Sequence, residues 1–196
     1  MKFKFISIVI PVYNVENSIL LESLESVRTQ TFTSFEAIII DDSTSLICSD
    51  FCKEFCASDD RFRYFKPKNK LGLAKSLNFG ISLAKNDLIA RFDSDDICYE
   101  NRLDLQIKYL NANPEIDVLG GNMEIINNKG NSISIRKYPS THNDIIREMQ
   151  INCAVAHPTV IFKRELIEKY NGYKENLSFA EDVDIWLRWL NKGVRF

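Results

Sequence analysis

Phe35-Glu36-Ala37-Ile38-Ile39-Ile40-Asp41-Asp42 is the stretch that decides the fold. Phe35 to Ile40 is too short for a core helix and reads as a buried strand, and it runs straight into two carboxylates. Toward the N-terminus, Asn17 is a candidate cap for a helix in which Leu20, Leu21, Leu24 and Val27 recur at helical spacing. Ahead of it Ile6 to Val12 forms another continuous buried-strand run. Toward the C-terminus a helix places Cys48, Cys52 and Cys56 four residues apart beside Phe51 and Phe55. Arg61 to Lys66 reads as a weaker third strand, Leu73, Leu77, Ile81 and Ala84 form one helical stripe, and Leu88 to Phe92 is the fourth strand. Strand and helix alternate throughout, the pattern of a parallel sheet with crossover helices, so the fold class is α/β.

The pattern loosens after residue 100. A helix carrying Leu103, Ile107 and Leu110 ends near Pro114; strands are expected at Val118 to Ile126, Ser132 to Arg136 and Thr159 to Phe162, and a last helix from about Ala180 to Lys192. No repeat or linker divides the chain, so residues 1–196 are expected to form a single domain with a mostly parallel central sheet flanked by helices.

Composition narrows the function. The chain has 25 Lys plus Arg against 27 Asp plus Glu, a formal net charge of −2, which excludes a general polyanion binder and leaves nucleic acid off the list of expected partners. At 196 residues and 45% hydrophobic content it carries enough apolar material for one core without disulfides or a structural metal. Five cysteines at irregular spacing do not make a secreted disulfide framework, so a reducing, cytoplasmic compartment is expected. The Cys48, Cys52, Cys56 row is read as the apolar face of its helix, because free Cys behaves as a small hydrophobe. Lys2 and Lys4 ahead of Phe5 to Val12 imitate a signal peptide, but Pro11 interrupts the run and no small-residue cleavage site follows. No apolar stretch approaches the roughly 18 residues that cross a bilayer.

The chemistry sits at strand ends. Ile38 to Ile40 runs into Asp41 and Asp42, and Leu88 to Phe92 runs into Asp93, Ser94, Asp95 and Asp96. A single Asp there caps a helix or makes a turn, but two acidic clusters at equivalent ends of an open α/β sheet mark the edge where ligands bind. Neither G-x-G-x-x-G nor G-x-x-x-x-G-K-[ST] is present, which disfavours a dinucleotide enzyme and a P-loop kinase. Converging carboxylates suit Mg²⁺ or Mn²⁺, which reconciles an acidic site with a phosphate-bearing substrate.

Four ordered segments carry a resemblance: Ile8 to Asn14; Ile39 to Thr44; Phe92 to Asp96; and Glu181, Asp182 ahead of Trp186, Leu187 and Arg188. Together they resemble the motifs of family 2 glycosyltransferases across essentially the whole chain. The resemblance implies the A-type glycosyltransferase fold, of the Rossmann-like nucleotide-diphospho-sugar transferase type. It also implies inverting transfer of a sugar from a nucleotide diphosphate donor, UDP-linked, to an acceptor hydroxyl in polysaccharide, lipopolysaccharide or glycan biosynthesis. Carried onto this chain, Pro11, Tyr13 and Glu16 match positions lining the nucleotide pocket, Asp42 the acid that reads the base, and Lys75 a contact to nucleotide or phosphate. Asp93 and Asp95 match the D-x-D pair, the first facing the ribose and the second holding Mn²⁺ or Mg²⁺. His157 and Pro158 resemble a segment near the acceptor, and Asp182 matches the catalytic base. Ser178 and Glu181 also fit a capping box, which would serve the same helix end.

Two departures stand out. Asp42 runs directly into Ser43 where the family usually has a Gly, and the chain ends at Phe196 where relatives generally continue, so a domain shortened at its C-terminus is expected. The partners implied are a nucleotide-sugar donor and a glycan or lipid-linked acceptor, with peripheral membrane association compatible. A sugar-phosphate nucleotidyltransferase is the competing enzyme, although Pro11 to Asn14 is not its Gly-rich, Arg-containing loop. A non-catalytic nucleotide-sugar binder is the competing reading from another class.

Overall fold

The computed structural model describes residues 3–177 and 179–196; the readings that involve Lys2 and Ser178 fall outside them. In chain order the elements are β1 (Ile6–Val12), α1 (Asn17–Arg28), β2 (Phe35–Asp41), α2 (Leu46–Ala57), β3 (Phe62–Phe65), α3 (Leu73–Ser82), β4 (Leu88–Arg91) and α4 (Arg102–Ala112). Then come β5 (Val118–Leu119), β6 (Met123–Ile126), β7 (Ser132–Arg136), α5 (His142–Glu148), a 3₁₀ turn at His157–Thr159, β8 (Ile161–Lys163), α6 (Glu165–Tyr170) and α7 (Glu181–Leu190).

The main sheet has the order β3-β2-β1-β4-β8-β5. Its first four strands are parallel, and β8 runs antiparallel to both β4 and β5. Ile38, Ile39 and Ile40 are all fully buried, as a strand covered on both faces requires. Each contributes roughly 1.5–3 kcal/mol through burial. One core packs α1, α2 and α4 on Ile8, Ile10 and Ile39. The other packs α3 and α7 on Val9, Ile38 and Ile40. The sheet is thus the middle of three layers. At Gly80 of α3 an added Cβ would lie 2.5 Å from Cγ1 of Val9, so glycine alone lets that helix approach the sheet so closely.

Several sequence expectations are corrected. The run Val118 to Ile126 is two strands, because Gly120 and Gly121 break it and send β6 into a separate antiparallel pair with β7. The Thr159 to Phe162 strand starts later, at Ile161, since Pro158 sits inside the 3₁₀ turn. Asn17 is the first residue of α1 and Glu16 holds the cap position. In α7 the buried face is Ile185, Trp186 and Trp189, while Leu187 is exposed. Cys48, Cys52 and Cys56 do lie on the core face of α2 as free thiols. No helix among the described residues is long and apolar enough to cross a membrane.

Candidate active site

From β1 the chain winds outward to β3 and then returns to place β4 on the other side of β1, so the sheet order reverses between these two strands. A crevice opens outside their carboxyl ends, the position where open α/β sheets bind ligands. Residues 13–14 flank it on one side and residues 92–96 on the other.

Asn14 fixes the first wall. It adopts a left-handed φ of 51°, which Asn tolerates better than most residues. Its Oδ1 accepts from the N–H groups of Thr44 and Ser45, both at 2.9 Å, and its own N–H donates to Ser43 Oγ at 2.9 Å. The loops after β1 and β2 are therefore tied together. Pro11 follows the last β1–β4 pair, Val9 with Arg91, so its missing N–H removes no ladder bond. Tyr13 is exposed, with Lys70 Nζ 4.0 Å from its ring centroid and donating to its hydroxyl at 2.8 Å.

The two acids after Ile40 differ in role. Asp41 is fully buried and accepts from the Ser43 N–H, the Tyr64 hydroxyl and Lys66 Nζ. Burial raises its pKa, but hydrogen bonds from Ser49, Ser43 and Tyr64 outweigh it and hold the carboxyl below its ordinary range. Asp42 uses one oxygen for the Leu71 N–H (2.7 Å) and the other for the Gly72 N–H (2.8 Å), which pins the start of α3 to the crevice. Lys75 stands exposed in the first turn of that helix. Glu16 is exposed at the start of α1 and accepts from Ser18 Oγ at 2.6 Å. Both are rim residues.

Past β4, Asp93 is ion-paired with the Arg91 guanidinium, Asp95 is exposed, and Asp96 is half-buried. Burial, followed by the charges of Asp93 and Asp95, pushes the Asp96 carboxyl up to about 6. Among the described residues no three His, Cys, Asp or Glu side chains form a metal cage. The strand-end acids still fit Mg²⁺ or Mn²⁺, because these cations take one or two protein carboxylates and fill the shell with water and substrate oxygens. A like-charge cluster that raises one of its own pKa values is one a divalent cation relieves.

The remaining candidate acid, Asp182, is on α7. Trp186 and Trp189, both fully buried, anchor it, Trp186 edge-on to His157 (5.8 Å) and Trp189 edge-on to Phe162 of β8 (5.3 Å). Ala180 occupies the cap position with no side-chain cap, and Glu181 is the first helical residue; the capping-box reading, which needs Ser178, lies outside the described residues. Asp182 Oδ1 accepts from the Val183 N–H at 2.8 Å and Oδ2 from the Cys153 thiol at 3.8 Å. His157 is buried, its Nε2 2.8 Å from the Tyr173 hydroxyl. Burial first, then the charges of Asp182, Glu181 and Asp93, push the Tyr173 phenol up, with Arg91 opposing. A cavity of about 480 Å³ is lined in part by Gly120, Gly121, Tyr138, His142 and Phe196. The Asp182 carboxylate lies near enough to Tyr138 to add to the upward push of burial on that phenol.

Pro11, Tyr13, Asp42, Asp93 and Asp95 thus share one edge of the sheet, and Asp182 stands apart from them at the head of α7. Sequence reasoning missed Arg91 and Tyr173. Arg91 had a signal, being the one charged residue inside the apolar run Leu88 to Phe92.

The "O-antigen biosynthesis glycosyltransferase WbnJ" of Escherichia coli is 32% identical over 95% of this chain and 72% of its own length. Two solved structures superpose with a TM-score of 0.74. A mannosyltransferase from Pyrobaculum calidifontis, in complex with GDP-Man and Mn²⁺, is 17% identical across 100% of this chain and 54% of its own. TarS of Staphylococcus aureus, in complex with UDP, is 23% identical across 95% of this chain and 55% of its own. At those identities the structures speak for the fold, that of the A-type glycosyltransferases, and this chain spans only about half of either. The model of glycosyl transferase family 2 matches residues 7–170, from the strand that opens the crevice to the end of α6, and the chain belongs to that family.

Proposed function

We propose that the protein transfers a sugar, with inversion, from a UDP-linked donor to an acceptor hydroxyl in polysaccharide, lipopolysaccharide or glycan biosynthesis. What supports this reading is the setting of acids after the two strands that flank β1, Asp42 after β2 and Asp93 and Asp95 after β4, at the crevice of an open α/β sheet, with Asp182 as a separate carboxylate at the head of α7. Displacement needs one set of groups to hold the donor and a separate carboxylate to take the acceptor proton, and this arrangement supplies both.

The nucleotide lies along the loop after β1, with Pro11, Tyr13 and Glu16 beside it. Asp42 accepts an N–H of the base; each carboxylate oxygen has a second lone pair, so this bond adds to those from Leu71 and Gly72. Asp93 faces the ribose, Lys75 reaches the diphosphate, and Asp95 would hold Mn²⁺ or Mg²⁺. When bound, the cation supplies positive charge against the departing diphosphate. Asp182 takes the proton from the acceptor hydroxyl, whose oxygen bonds to the anomeric carbon from the face opposite the diphosphate. The bond from that carbon to the diphosphate oxygen breaks, and its electron pair leaves with UDP. The cavity beside Tyr138 receives the acceptor.

Thermal shift with UDP, UDP-GlcNAc and GDP-mannose, with Mn²⁺ or with EDTA, tests the donor site. UDP at 100 times its dissociation constant should stabilise the protein by about 2.7 kcal/mol with Mn²⁺. Asp95→Asn should remove the metal-dependent part. Equal shifts with and without metal would sink this reading, and a larger response to GDP-mannose would replace UDP by GDP.

A further inference from the structure

Arg91 has no part in the proposed chemistry, yet its setting is unusual. It ends β4 with only 4% of its surface exposed, two residues before Asp93, and one terminal nitrogen, Nη1, pairs with Asp93 Oδ2. Its Nε is buried without a partner among the described residues. A charged side chain is rarely buried so fully unless a specific partner needs it, because desolvating a guanidinium is costly. The partner here is not itself buried: the Asp93 side chain keeps 31% of its surface and could be solvated without Arg91. The ion pair is therefore not required to satisfy Asp93. What it does is fix the direction in which that carboxylate points.

The Arg91 backbone is itself held from two sides. Its carbonyl accepts from Arg102 Nη2 of α4 at 3.1 Å, and its N–H donates to the Val160 carbonyl at 3.0 Å. Its charge acts on both members of the His157–Tyr173 pair. Burial first and then Arg91 lower the His157 pKa, and Arg91 opposes the rise at Tyr173. His157 in turn packs on Trp186, one turn into α7 from Asp182.

We infer that Arg91 is a positioning residue that orients the Asp93 carboxylate for the nucleotide. The inference rests on the donor site proposed above. Its substrate class is the ribose-bearing nucleotide diphosphate that Asp93 faces.

Binding of UDP with Mn²⁺ by titration calorimetry, together with melting temperature, tests it on five proteins: wild type, Arg91→Gln, Arg91→Lys, Asp93→Asn and the double variant Arg91→Gln/Asp93→Asn. Wild type must bind first; if it does not, the donor-site reading fails and this inference with it. Given binding, Arg91→Gln should weaken affinity per folded molecule about tenfold, the order of one charge-assisted hydrogen bond. Arg91→Lys should recover most of the loss, because a single terminal nitrogen makes the contact and an ammonium can replace it. The double variant should bind no more weakly than Asp93→Asn alone, because Arg91 acts through Asp93. Wild-type binding with Arg91→Gln unchanged, even at a lowered melting temperature, would reduce Arg91 to a purely structural role and overturn the inference. A double variant whose loss is the product of the two single losses would overturn it too. If Arg91→Gln alone does not fold, the double variant, in which no carboxylate is left facing a missing cation, gives the same decision.

Discussion

Asp42 grips Gly72: Oδ2 accepts the Gly72 N–H at 2.8 Å while Oδ1 accepts the neighbouring Leu71 N–H. Gly72 adopts a φ of 78°, a conformation other residues enter only with strain, so the carboxylate and the glycine together fix where α3 begins. Asp42→Asn leaves one amide N–H facing a donor and should cost about 1.5–3 kcal/mol in urea denaturation, with faster hydrogen exchange at Leu71 and Gly72. UDP affinity should fall with it. Unchanged exchange at both amides would show that the loop is held elsewhere.

Asp182→Asn separates catalysis from stability. The side chain makes no cap to a distant amide, only the bond to the adjacent Val183 N–H and a long one from the Cys153 thiol, and α7 is anchored by Trp186 and Trp189. The melting temperature and UDP affinity should stay close to wild type, while transfer to an acceptor falls by roughly 10² to 10⁴. A variant that transfers at the wild-type rate removes Asp182 from the mechanism.

His157 should make the fold acid-sensitive. Burial, reinforced by Arg91, holds its pKa well below the ordinary 6.5, so the folded protein keeps the ring neutral. Between the folded pKa and 6.5 the unfolded chain binds more protons, so the contribution is fully present above about 6.5 and is lost as pH falls. Melting temperature measured from pH 8 to pH 5 should drop less steeply in His157→Gln than in wild type, even if that variant starts lower. Parallel curves would assign the acid sensitivity to other groups.

Cys52→Ala should destabilise by about 1–2 kcal/mol through lost packing in a fully buried position. Metal content and UDP binding should not change. Burial, with smaller contributions from Cys48 and Asp41, pushes the Cys52 thiol well above its usual range, so the native protein should also resist alkylation there. Zinc that copurifies with wild type and is lost in the variant would contradict this.

The half of the sheet from β3 to β4 was legible because unbroken runs such as Ile38 to Ile40 have only one comfortable setting, a strand covered on both faces. The other half was not. β5 is two residues long and owes its place to pairing with β8, more than 40 residues away, a contact that local pattern does not encode. The short helices α5 and α6 carry a single buried residue each, Ile145 and Leu166, too little for a periodic signal. The acids of the site could be read because they follow directly on apolar strands. Tyr173 could not, since its setting arises from residues brought together across the fold, and Arg91 showed only as a charge inside an apolar run, without its partner.

The antiparallel insertion of β8 also sets a timetable. Until Ile161 to Lys163 are synthesised, about 70 residues after Arg91, the right-hand edge of β4 has no neighbour, and β5 has nothing to pair with. At about 5–20 residues per second a nascent chain spends roughly 4–14 s with that strand edge open. An open hydrogen-bonding edge in a buried, apolar strand is a template for pairing with another chain. Chaperone demand during translation should therefore peak in that interval and end when β8 closes the sheet.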